Sequence, residues 1–175
     1  MRWLLSVALV TACALPARPG PAPARQGEGA PPAAALEALG KLLREDGSGL
    51  LPGFDTWQRV TSWKAEGCRV EYVITDEGRA PDGGPPVDVK RHTHAKFTLD
   101  LGDVDPRAVE ARPRRDGRGG TLSYRTAGGR ASVRFEPGDG RPAGTQARGW
   151  LPLKDGESLT RAAELLKRSA AGCRK

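Results

Sequence analysis

Residues 92–101, HTHAKFTLDL, alternate polar and apolar side chains almost without a break. Period-two alternation puts successive side chains on opposite faces of a strand. Thr93, Ala95, Phe97, Leu99 and Leu101 share one face; His92, His94, Lys96, Thr98 and Asp100 share the other. Residues 68–75, CRVEYVIT, repeat the pattern with Cys68, Val70, Tyr72 and Ile74 on one side. Two half-buried strands demand a sheet with one apolar face and something to cover it.

The covering element is visible at the C-terminus. Leu159, Ala162, Ala163, Leu166, Ala170 and Cys173 recur at helical spacing and form one stripe. Asp155 or Ser158 can cap this helix. Residues 33–45 carry Ala35, Leu36, Leu39 and Leu43 at the same period, with Pro32 just before the first turn and Asp46-Gly47 at the end. Trp57, Val60 and Trp63 stand three residues apart, which suits a helical turn, with an irregular strand as the alternative. Asp76-Glu77 and Asp82 fall in an expected long connection, 76–88. A weak strand is expected at 109–112. Residues 121–126 and 131–136 flank Ala127-Gly128-Gly129-Arg130 and read as a hairpin. Residues 146–153 form a last strand, which Pro152 assigns to an edge or a strand end. The expected fold class is therefore α+β. It is a curved antiparallel sheet or split barrel of five to six strands, with an N-terminal helix and a C-terminal helix packed on it. The element order is similar to that of pleckstrin-homology-like folds, an analogy of order alone.

The first 32 residues do not belong to that domain. Arg2 precedes an apolar run from Leu4 to Val10. The run is too short to span a bilayer, which needs about 20 apolar residues; this is the layout of a secretory signal. Val10-Thr11-Ala12-Cys13 resembles the lipobox of bacterial lipoproteins. That resemblance implies a signal over 1–12, a diacylglyceryl anchor on Cys13 and attachment to a membrane. Ala14, where enteric bacteria use Asp to retain lipoproteins at the inner membrane, points to the outer membrane. Ala12-Cys13-Ala14 also fits an ordinary signal-peptidase site with cleavage after Ala14. Residues 13–32, rich in Pro and Ala, offer no apolar face and read as a linker. The single α+β domain then runs over 33–175.

With Cys13 accounted for, Cys68 and Cys173 remain. In an exported chain they are expected to form a disulfide pinning the last helix to an early strand. The closed loop of 105 residues would be worth roughly 4–5 kcal/mol in the chain-entropy model. Phe97, Leu99, Gly102-Asp103-Val104-Asp105-Pro106 and Val109, with a Cys closing the last helix, resemble a group of small secreted bacterial α+β domains. The resemblance implies a fold and export, and no activity.

The chain carries 28 Lys and Arg against 21 Asp and Glu, a net charge of +7. The excess is local. Residues 107–134 hold eight arginines against Glu110 and Asp116, a net of +6. Arg112, Arg114, Arg115, Arg118, Arg125 and Arg134 are the candidate anion-binding set, suited to the phosphate or sulfate groups of an anionic lipid or to an acidic glycan. His92 and His94, the two histidines, share a strand face and are candidate metal ligands or acid/base groups. Read blandly, they are polar residues on a solvated face. Asp100, Asp103 and Asp105 lack the Glu of a calcium loop and read as a turn whose side chains bond local amides. Trp57, Trp63 and Trp150 are expected in the core.

Length and composition exclude a multidomain enzyme, a collagen and a polytopic membrane protein. No P-loop, dinucleotide fingerprint, nucleophile elbow or zinc-protease motif is present in the sequence. No cofactor and no specific nucleic acid is expected. The expected function is a non-catalytic envelope binding or accessory module, with an envelope protein, or an anionic lipid or glycan held by the Arg-rich hairpins, as its partner. A metal-dependent enzyme using His92 and His94 is the alternative.

Overall fold

The computed structural model describes residues 32–50, 56–79, 91–117 and 119–174. The signal, Cys13 and the linker, together with Asp82 and Arg118, lie outside the described residues. No helix among the described residues is long and apolar enough to cross a membrane.

The fold is α+β, as the alternation predicts, and the sheets do not close into a barrel. Helix α1 (Pro32–Asp46) buries Ala35, Leu36, Leu39, Leu42 and Leu43. Its end is marked by the Gly47 amide donating to the Leu43 carbonyl at 3.0 Å. Nine strands follow among the described residues: β1 (Ser48–Leu50), β2 (Thr56–Glu66), β3 (Arg69–Arg79), β4 (His92–Asp100), β5 (Glu110–Pro113), β6 (Gly120–Arg125), β7 (Val133–Pro137), β8 (Gly144–Gln146) and β9 (Arg148–Leu153). Helix α2 (Gly156–Cys173) closes the chain. Asp155 caps it, its carboxylate accepting from the Ser158 amide at 2.7 Å.

All strand pairs are antiparallel and form two sheets. The larger has the order β1-β2-β3-β4-β7-β8, the smaller β5-β6-β9. They are joined through stacked and edge-on rings. Tyr72 stacks on Phe97 at 4.7 Å between centroids, and Phe97 meets the Trp150 ring edge-on at 5.0 Å. The Tyr72 hydroxyl donates to the Trp150 carbonyl at 3.2 Å. Since a phenol has one hydrogen, Tyr124 must be the donor in its 2.9 Å bond to the Tyr72 oxygen. Burial pushes the pKa of both phenols up, so they stay neutral donors. A Cβ on Gly149 would sit 2.2 Å from the Tyr124 oxygen, so only glycine lets this ring cross β9.

The helices pack on each other and are tied through Asp46. Its carboxylate accepts from the Ser158 hydroxyl at 2.6 Å and pairs with Lys154. Burial would raise the Asp46 pKa, but the hydrogen bonds from Lys154 and Ser158 outweigh it and leave the pKa below the ordinary value. Cys68, in the two-residue turn between β2 and β3, is disulfide-bonded to Cys173, the last residue of α2, with Cα atoms 5.7 Å apart. The expected staple is therefore present. The aspartate turn also forms as read: Asp100 accepts from the Gly102 amide at 2.8 Å, and Asp105 from the Arg107 amide at 3.1 Å.

Four local expectations are corrected. Residues 57–64 are strand, not a helical turn; a bulge inside β2 shifts the period that makes Trp57, Val60 and Trp63 look helical. Asp76 and Glu77 are not loop residues. They continue β3, and both are buried. The segments around Ala127–Arg130 do not pair with each other. Gly128 and Gly129 adopt positive φ (65° and 69°), and the Thr126 hydroxyl bonds the Arg130 carbonyl. The turn carries the chain from β6 in the small sheet to β7 in the large one. Finally, 146–153 is interrupted at Ala147, so β8 and β9 also serve different sheets. These short elements raise the count from five or six strands to nine. Pro152 does lie on an edge strand, β9.

Candidate functional site: a cleft between the sheets

The functional geometry gathers where the large sheet loses its regularity. Three residues are inserted against their neighbours within a few positions. Glu77 is extra on β3, between the pairs Gln58↔Asp76 and Trp57↔Gly78. Thr61 is extra on β2, between Val60↔Ile74 and Ser62↔Val73. His94 is extra on β4, between Ala95↔Ile74 and Thr93↔Thr75. A bulge adds one residue to one strand and re-aims the side chains beyond it. Past the His94 bulge the faces of β4 are exchanged, and His92 comes opposite Asp76.

Asp76 is the hub. It is 8% exposed and lies on the face of β3 that carries Val70, Tyr72 and Ile74. One carboxylate oxygen accepts from Gln58 Nε2 at 2.7 Å. The other faces His94 Nδ1 at 3.0 Å and His92 Nε2 at 3.1 Å. A carboxylate accepts, so His94 Nδ1 carries the hydrogen of its bond to Asp76; in the neutral form of the ring the lone pair is then on Nε2. The Gln58 amide is oriented from both ends, because its oxygen accepts from Trp150 Nε1 at 3.2 Å. The edge of the His94 ring packs with Trp150 at 5.8 Å between centroids. Beside this network Glu77 accepts from Arg59 Nε at 2.9 Å and pairs with Arg91 Nε at 3.2 Å. Each buried charge is thus hydrogen-bonded, as burial requires.

Facing this end of the large sheet is the polar face of the small one. Register places Arg125 directly opposite Arg148, and Ser123 directly opposite Trp150. Between the sheets is a cleft of about 380 Å³, walled by Gln58, Asp76 and His94 on one side and by Arg112, Ser123, Arg125, Arg148 and Trp150 on the other. Its size is at the small end for ligand cavities.

The basic stretch divides on this geometry. Arg112 lines the cleft but bonds Glu110 at 2.6 Å, which holds the Glu110 carboxyl below its usual range. Arg114 pairs with Asp116 at 2.7 Å, Arg130 with Asp103 at 3.1 Å and Arg134 with Glu136 at 2.8 Å. Arg115 is exposed in the turn after β5. The side chains of Arg125 and Arg148 have no hydrogen-bond or ion-pair partner among the described residues, although the Arg125 charge acts on Glu110 and helps to hold its carboxyl down. Arg148 falls outside 107–134, so a count of charge along the chain misses it. The alternation of Arg148, Trp150 and Pro152 along one face of the last strand is the signal that could have found it.

The two histidines do converge, on Asp76 rather than on a metal-ligand set. No group of three His, Cys, Asp or Glu among the described residues has a geometry that could hold a metal ion. Trp57 is buried, and Trp63 and Trp150 are half-buried against the core. The class defined by this fold and site is a two-sheet α+β domain with an arginine-rimmed cleft. The chain matches no protein-family model, no curated protein and no solved structure.

Proposed function

We propose that the protein is an exported, lipid-anchored, non-catalytic binding module of a bacterial cell envelope, and that it takes a small anionic ligand in the cleft between its sheets. The Cys68–Cys173 disulfide supports export, because such bonds persist in oxidising compartments. The lipobox-type sequence ending at Cys13 supports attachment to a membrane, probed by mass spectrometry of the mature N-terminus. An unmodified chain starting after Ala14 would overturn the anchor.

The observation that carries the ligand reading is the Arg125–Arg148 pair. Like charges directly opposite each other on neighbouring strands destabilise a sheet. Here neither side chain has a hydrogen-bond or ion-pair partner among the described residues, and both line a formed cleft. An anion seated between them replaces repulsion with charge-assisted hydrogen bonds. The other arginines of the hairpin region are largely occupied by neighbouring carboxylates, which favours the cleft over a diffuse basic patch.

Calorimetric titration with inorganic sulfate tests this. Saturable binding to one site is expected, weakening as sodium chloride rises. It is lost in Arg125→Ser/Arg148→Ser and kept in Arg114→Ser/Arg134→Ser. The reverse result returns the function to the basic patch and overturns the cleft.

A further inference from the structure

We infer that the cleft is built for a small hydroxylated organic anion of acidic-sugar type, read at two points: its charge by the arginine pair and a hydroxyl by His94. This rests on the anion reading above and names the ligand class.

The first point is Arg125 with Arg148. Arg112 is committed to Glu110, so two guanidinium groups are left to clamp one carboxylate. The second point is set by the buried hub. Asp76 takes the Nδ1 hydrogen of His94, so the ring in its neutral form presents only an acceptor, Nε2, for a ligand. An acceptor seeks a hydroxyl or an N–H, not a second anionic oxygen. A plain inorganic anion therefore satisfies one end of the cleft and not the other.

Between the two points is a surface suited to a ring. Trp150 is two residues along β9 from Arg148, about 7 Å at the usual rise of a strand, and on the same face. Its indole N–H is spent on Gln58, so Trp150 offers the ligand carbon surface rather than a donor. Ser123, directly opposite, supplies a hydroxyl that can donate or accept. The row from arginine pair to Trp150 and Ser123 to His94 is thus anion clamp, apolar patch with one hydroxyl, acceptor. That order matches a sugar ring with a carboxylate at one end and hydroxyls at the other. The cavity of about 380 Å³ limits the ligand to one or two rings.

The test is calorimetric titration of the protein, in parallel, with D-glucuronate, D-glucose and inorganic sulfate near neutral pH. Glucuronate is expected to bind about tenfold more tightly than sulfate, the worth of one well-made hydrogen bond, and glucose not measurably. The decisive variant is His94→Asn. Its amide reproduces the Nδ1 donor to Asp76 but has nothing where Nε2 stood. Glucuronate affinity should fall to the sulfate level while sulfate affinity stays unchanged. Thermal melting checks that the variant is folded; His94→Gln, which can place an amide oxygen near the Nε2 position, replaces it if it is not, and should recover part of the preference. Equal binding of glucuronate and sulfate overturns the two-point reading and leaves the anion cleft standing. Binding of glucose as tight as glucuronate, or of neither anion, overturns both.

Discussion

The two ends of β3 obey different rules. From Arg69 to Val73 the strand alternates cleanly, with Val70 and Tyr72 essentially inaccessible and each residue paired one-to-one with β2 and β4. From the Val73–Ile74 step to Arg79 the neighbours are shifted by bulges at three places, and beyond the buried Ile74 the buried side chains are Thr75, Asp76 and Glu77. The regular end meets the rings, the disulfide and the terminal helix. The irregular end meets the cleft. Regular pairing maximises apolar burial. Bulges aim polar groups, and the carboxylates they bury must each be matched with donors. One strand thus serves apolar packing at one end and, on the proposed reading, recognition at the other, with the change of register as the boundary.

Substitutions at the regular end should change stability and leave anion binding alone. Phe97→Ala has the largest expected effect. It removes the ring shared by Tyr72, Phe135 and Trp150, and should cost about 3–5 kcal/mol by chemical denaturation. A loss under about 1 kcal/mol would break the assignment of this end to the core. Replacing both cysteines by alanine should cost about 2–5 kcal/mol, read the same way, with sulfate affinity unchanged in the folded protein. Affinity that falls with the disulfide would show that the two ends are not separable.

Asp46 gives a smaller, pH-dependent effect in the same stable half. Its pKa is lower folded than unfolded. Its contribution is therefore present above the ordinary aspartate value and lost as pH falls through the folded one. Asp46→Asn should cost about 1 kcal/mol near neutral pH and flatten the acid limb of the stability profile. A variant that loses as much stability at pH 2 as at pH 7 would place the effect elsewhere.

The boundary between the two ends is also where the sequence stops being legible. The regular parts can be read because burial leaves a period: Val70, Tyr72 and Ile74 on β3, Ala95, Phe97 and Leu99 on β4, and the stripe ending at Cys173 on α2. The disulfide is legible from where that stripe ends. A bulge leaves no such mark. Nothing about His94 or Glu77 announces an inserted residue, yet each inversion moves every later side chain of the strand to the other face. Asp76-Glu77 read as loop because charged residues are seldom buried in a strand; the donors that permit it, Gln58 and His94, lie 18 residues away on either side. The Ala127–Arg130 turn is legible as a turn, but turn chemistry does not say which sheet receives the next strand. Arg125 is visible within the basic stretch, and its partner Arg148 is not, because the pairing of β6 with β9 is a long-range fact.

On the proposed reading, the irregular end of β3, with the arginines facing it, is arranged for a ligand at some expense in stability. Arg125→Ser/Arg148→Ser tests this most directly, by denaturation and sulfate titration of the same sample. The expected protein is as stable as the parent or more stable by about 0.2–1 kcal/mol, through relief of the facing like charges, and binds no sulfate. A double variant that is less stable than the parent and still binds sulfate would contradict it.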